Sequence, residues 1–199
     1  MNKARLEAFS DGVFAIAITI LVLNITIEDV PEEGLQGALT ALLPKIFSYV
    51  MSFMLIGLYW LGHHFYFERI RQVDGNFVLM NIVLLMLISF MPFPTYLLGK
   101  YPHGSLPLTL YGSTLIATNV MSFVMIVYIN RNRHLANEHF KDEFAKLQVP
   151  LFLSINLIYA AGIFCAFSFP RFSYTLYLVV LVFGLVGYVK RMNADVKKK

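Results

Sequence analysis

Residues 5–27 read RLEAFSDGVFAIAITILVLNITI. As a helix rising about 1.5 Å per residue, this stretch covers about 35 Å, enough for a hydrocarbon core about 30 Å thick. It opens on Arg5, holds Asp11 within its first turns, and then carries no further charge. A carboxylate at the centre of a membrane helix costs about 2.5–3.5 kcal/mol on insertion scales, and less near an interface. Asp11 therefore needs a partner or a role. Taking Ile16 as the origin of a wheel at about 100° per residue, Thr19, Ile20, Leu23 and Ile27 all fall within about 60° of it. Asp11 lies about 140° away. One face is apolar with a single hydroxyl; the carboxylate points elsewhere, toward other helices of the same subunit.

Five further apolar stretches follow. The expected spans are residues 6–27, 44–67, 77–98, 106–130, 149–169 and 172–189. The chain is 58% hydrophobic and 14% charged, with a mean hydropathy of +0.66. Soluble domains average about 45–50% apolar and about 25% charged, so the balance is that of a polytopic membrane protein. The runs are too long for barrel strands of about 9–11 residues. The expected fold is all-α, a single transmembrane domain over residues 1–199 with no separate soluble catalytic unit. Pro44, Pro107 and Pro150 sit where spans can begin. Pro31, Pro102 and Pro170 fall in connections, while Pro92 and Pro94 should kink or end the third span.

A net charge of +4 does not indicate nucleic acid, because the cations sit in short loops and at the termini. With six spans, thirteen of the sixteen Lys and Arg share the side of the two termini; only Lys45, Lys100 and Arg171 face the other. The positive-inside rule then makes both termini cytoplasmic. The 1–2 connection, with Glu28, Asp29, Glu32 and Glu33, is an acidic loop on the outer side. LNITIED offers no small-residue cleavage site, so the first segment reads as a retained span and not as a signal peptide. The charged stretch 131–148 reads as a helical link.

In the second span Trp60 and His64 are four residues apart and share a face. His64 lies at the same end as Asp11, and a hydrogen bond between them would offset the carboxylate's desolvation. His63 and His64 otherwise read as interfacial. Asn81, Asn119 and Asn156 read as helix–helix hydrogen-bonding amides. The lone Cys165 excludes an intrachain disulfide. No carbonyl-filter sequence, voltage-sensor helix, nucleotide-binding loop or zinc-protease motif is present.

Arg5, Phe9, Ser10 and Asp11 form R-x-x-x-F-S-D at the head of the first span. With W-x-x-H-H at Trp60–His64 and the run from Asn81 to P-F-P at Pro92–Pro94, the chain resembles the lysosomal potassium channel family, transmembrane protein 175, in its prokaryotic single-repeat form. The resemblance implies a homotetramer of six-helix subunits in a prokaryotic plasma membrane, its first helices lining a central pore for potassium and other monovalent cations. It implies that Ile16 is the constriction, with Thr19 beside it and Ile20 and Leu23 continuing the wall. It implies that Arg5, Ser10 and Asp11, with Trp60, His64 and Asn81, form a polar network fixing the first helix. Neither cofactor nor resident metal is expected. A carrier or proton pathway using Asp11 and His64, a metal-dependent membrane enzyme using the histidines, and an assembly protein remain the alternatives.

Overall fold

The computed structural model describes residues 2–27, 31–137 and 142–196, with backbone only at 142–148 and 190–196. Helix α1 (Lys3–Ile20) is capped by Asn2, whose side chain accepts from the Ala4 amide at 3.0 Å. It tightens into a 3-10 turn over Leu21–Asn24. A second 3-10 turn, Glu32–Gly34, leads into the short α2 (Leu35–Ala41). Part of the expected acidic loop is thus helical; Glu28 and Asp29 lie outside the described residues. Then come α3 (Leu43–Phe67), α4 (Gly75–Phe90), α5 (Pro92–Lys100), α6 (Ser105–Arg131), α7 (Asp142–Cys165) and α8 (Pro170–Val196).

Among the described residues, five helical segments are long and apolar enough to cross a membrane: Lys3–Asn24, Leu43–Phe67, Gly75–Lys100, Ser105–Arg131 and Pro170–Val189. The sixth apolar segment, Val149–Cys165, is shorter. It ends before the expected Phe169 because the turn there is closed early. The Gly162 carbonyl accepts from the Ser173 hydroxyl at 2.7 Å and from the Ala166 amide at 3.0 Å, and the Phe169 amide reaches Cys165 at 2.7 Å. Pro170 then starts α8 instead of lying in a connection, where its missing N–H costs nothing. Pro150 also departs from expectation. It sits inside α7, not at its start, because the charged link is helical only from Asp142, where it runs straight into the apolar segment, while residues 132–137 form turns and a bridge; an interior proline costs about 3 kcal/mol of helix stability.

Pro92 and Pro94 break the third span as expected. Pro92 cannot bond the Ile88 carbonyl, so the Met91 amide takes it at 3.1 Å and α4 stops. A buried hydroxyl chain braces the break. Thr95 of α5 donates to Ser52 of α3 at 2.8 Å, and Ser52 meets Tyr111 of α6 at 2.9 Å.

The larger core joins Phe14, Leu21, Met51, Ile56, Tyr111 and Tyr177. A second cluster, including Leu6, Phe67, Ile70, Phe77 and Met125, lies toward the end of the bundle that holds the chain's N-terminus. Between membrane helices lipid is as apolar as leucine, so close approach and hydrogen bonding must supply the cohesion. Gly112 of α6 and Gly162 of α7 supply the approach. A Cβ on either would run into the ring of Tyr177, whose hydroxyl donates to the Leu108 carbonyl at 3.0 Å.

At the same end two loops clasp each other. Ile70 and Ala136 form an antiparallel bridge; the Arg71 amide donates to Leu135 and the Asn137 amide to Arg69, both at 2.9 Å. Asp74 caps α4, accepting from the Phe77 amide at 2.8 Å and from the Tyr128 hydroxyl at 2.7 Å. Partial burial pushes the Asp74 carboxyl up. The Phe77 amide, the Tyr128 hydroxyl and nearby His134 outweigh that and hold it below its ordinary 3.8.

Candidate functional site

Helix α1 has two unlike faces. Leu6, Ser10, Phe14, Ala17 and Leu21, spaced three and four apart, are buried against α3 and α4. Phe9, Ile16, Thr19, Ile20 and Leu23 are exposed, Ile16 by 62% and Leu23 by 70%. Thr19 turns its hydroxyl back to the Ala15 and Ile16 carbonyls, at 2.9 and 3.0 Å. With that hydroxyl committed to the backbone, the stripe is largely apolar.

The 3-10 turn alters the wheel. From Ile20 onward the twist is about 120° per residue, so Leu23 stands directly above Ile20 instead of about 60° round from it. Ile27 lies past the last helical residue and does not extend the stripe as a regular helix would.

The polar residues separate into two groups. The inner group is buried and spans three helices. The Asn81 amide of α4 donates to the Ser10 hydroxyl of α1 at 2.9 Å, and its oxygen lies 2.8 Å from Nε2 of His63 on α3. Ser10 passes its own proton to the Leu6 carbonyl at 2.8 Å. His63 stacks on Phe67 with centroids 4.3 Å apart and takes the edge of Phe14 at 5.4 Å.

The outer group lies at the rim. Trp60 Nε1 donates to Asp11 at 2.8 Å. The His64 ring stacks on Trp60 at 5.9 Å and sits between two carboxylates, 3.8 Å from Glu7 and 3.3 Å from Glu68. The expected Asp11–His64 hydrogen bond is absent; the indole occupies that position and desolvates only part of the carboxylate, which stays exposed. Arg5 is exposed and joins neither group among the described residues.

The sequence reading missed His63. The signal was present: Ser52, Ile56, Tyr59, His63 and Tyr66 recur every three or four residues, which puts His63 on the inward face of α3. Asn119 and Asn156 do not make the expected interhelical bonds. Asn119 Nδ2 and Asn156 Oδ1 are buried without partners, and Asn156 Nδ2 bonds Phe152 of its own helix at 2.8 Å. Among the described residues, no group of three or more His, Cys, Asp or Glu is placed to hold a metal ion.

Residues 5–92, which carry the motif, both polar groups and the kink, match the family model described as endosomal/lysosomal potassium channel TMEM175. A potassium channel of Chryseobacterium sp. (strain P1-3) is 34% identical over 202 residues, covering 100% of both chains. The crystal structure of a lysosomal potassium-selective channel TMEM175 homolog from Chamaesiphon minutus superposes with a TM-score of 0.79 at 29% identity, covering 92% of this chain and 96% of that one. The endosomal/lysosomal proton channel TMEM175 of Mus musculus is 36% identical over 118 residues, 53% of this chain but only 24% of the mouse protein. With its R-x-x-x-F-S-D helix seated on α3 and α4 and a full-length relative at this identity, the chain belongs to the TMEM175 family of ion channels.

Proposed function

We propose that the chain forms a homotetramer of six-span subunits and conducts potassium passively through a central pore lined by α1. The observation that carries this reading is the division of α1 into a pinned face and a free one. Ser10 is locked to Asn81, while Ile16, Ile20 and Leu23 are exposed, with no helix among the described residues covering them. Four such stripes facing one axis give stacked apolar rings. A closed isoleucine ring excludes water and blocks ions by dewetting; one wide enough for a partly hydrated cation favours potassium, which sheds water at less cost than sodium. The Chryseobacterium relative, named a potassium channel, and the Chamaesiphon homolog, described as potassium-selective, support the ion. Both termini are cytoplasmic and the membrane is the plasma membrane.

The test is flux into vesicles under potassium or sodium gradients, with Ile16→Ala and Ile16→Asn beside wild type. Both substitutions should raise conductance and bring the potassium-to-sodium ratio toward one. Unchanged flux and ratio would remove Ile16 from the constriction.

A second reading rests on the rim group, where Asp11, His64, Glu7 and Glu68 form a run of titratable side chains, and on the proton-channel name of the mouse relative. In that reading protons pass by way of Asp11 and His64. Proton uptake abolished in Asp11→Asn, with potassium flux retained, would establish it.

A further inference from the structure

Helices α3 and α8 meet at one level and part below it. A Cβ on Gly184 would stand 2.8 Å from Leu58, whereas one on Gly62 or Gly187, nearer the basic end, would meet nothing within 4 Å. Between them opens a cleft of about 670 Å³, closed behind by α6 and α7, where Phe123 and Phe152 stack 4.1 Å apart. None of Ile16, Thr19, Ile20 and Leu23 lines it, although His63, His64 and Glu68 of the polar groups do.

We propose that this cleft binds one acyl chain of an anionic phospholipid from the cytoplasmic leaflet; the leaflet assignment rests on the orientation given above. Dimensions support this first. The lining runs along α3 from Leu55 to Tyr66, about 17 Å of helix, and on to Glu68 and Arg69 just past its end; half of a bilayer is about 15 Å of hydrocarbon and about 20–22 Å with its headgroups. The walls support it next, for Leu58, Leu61, Phe65, Ile126, Ile155 and Phe183 are apolar. In a bilayer the medium available to such a cleft is hydrocarbon. Partway along, Asn119 adds a polar side chain to the wall; its Nδ2 is fully buried without a partner, and a side-chain rotation would be needed to offer it to an ester carbonyl.

Charge decides the headgroup. The mouth is lined by Arg69 and Glu68, and the loop clasp fastens there, Asn137 Nδ2 donating to the Glu68 carbonyl at 2.9 Å. Arg69 and Glu68 lie 3.8 Å apart and offset each other, so the excess belongs to the side as a whole: in the orientation given above, the side of the termini has thirteen Lys and Arg against Glu7, Asp11, Glu68, Asp74, Glu138, Asp142, Glu143 and Asp195. The cationic excess complements a phosphodiester without a balancing choline.

Native mass spectrometry of the purified full chain tests this without reference to conduction. The protein is released from micelles doped with phosphatidylglycerol or phosphatidylcholine. Wild type should retain one phosphatidylglycerol per chain and much less phosphatidylcholine. Gly62→Leu and Gly187→Leu each place a branch in open space, displacing about two methylenes of chain, and should lower retention about tenfold. Leu157→Phe, on the exposed face of α7, should retain lipid like wild type. Wild type without lipid would overturn the proposal, as it would if a neighbouring copy filled the cleft. So would equal retention of the two lipids, unchanged retention in both glycine variants, or equal loss in Leu157→Phe.

Discussion

Asn81→Leu removes the residue that ties α1 to α3 and α4 while keeping a side chain of similar volume. It deletes two buried hydrogen bonds, at 2.9 Å to Ser10 and 2.8 Å to His63. A buried bond contributes about 0.5–1.5 kcal/mol net, and a buried polar atom left unpaired costs about 1–3 kcal/mol. Ser10 keeps its bond to Leu6, so the unpaired group is the His63 ring, 2% exposed among aromatic neighbours. Measured side-chain bonds between membrane helices average only about 0.6 kcal/mol, since the unfolded chain in lipid also finds partners. Weighing these, the expected loss is about 2–3 kcal/mol. Denaturant titration in micelles reads it, and Trp60, the one tryptophan in the chain, reports locally because it lies less than a turn from His63. A double-mutant cycle with Ser10→Ala should return about 1 kcal/mol of coupling. A loss below about 0.5 kcal/mol, or additive single variants, would show that the bridge does not hold α1 and would undercut its role as the pinned face.

Other substitutions test other parts of the fold. Gly162→Ala drives a methyl into the Tyr177 ring and should cost about 1–3 kcal/mol by the same titration. Trp60→Phe keeps an aromatic ring beside His64 but removes the donor to Asp11; at this half-exposed rim the loss should be about 1 kcal/mol. Asp74 has a carboxyl held below its ordinary value of 3.8. Its stabilisation should be complete above that value and disappear as pH falls through the lower folded value. Asp74→Asn, which still caps the helix, should flatten this acid limb in a stability-versus-pH series.

Five of the six expected spans were legible because length and apolarity are properties of the segment alone. Pro92 announced its break for the same reason, since a missing N–H acts locally whatever surrounds it. Pro150 misled because the local rule states a cost, and α7 tolerates that cost within a longer continuous helix. The site was legible in part. Asp11 declared a need for a partner, and Trp60 and His64 were identified as sharing a face. Which of the two would reach the carboxylate depended on side-chain length and the approach of α1 to α3, which no spacing encodes. His63 and Asn81 met across helices 18 residues apart in sequence, a pairing that follows from how α3 and α4 dock.

The 3-10 turn at Leu21–Asn24 gives the outer part of α1 its own gearing. Rewinding those residues to α geometry would turn Leu23 through about 60° relative to Ile20 and draw it about 1.5 Å closer along the axis. Ile16 and the braced half of the helix would not have to move. The uppermost apolar side chain of the stripe is therefore mechanically separable from the one beneath it, a rotary stroke confined to a single turn of backbone.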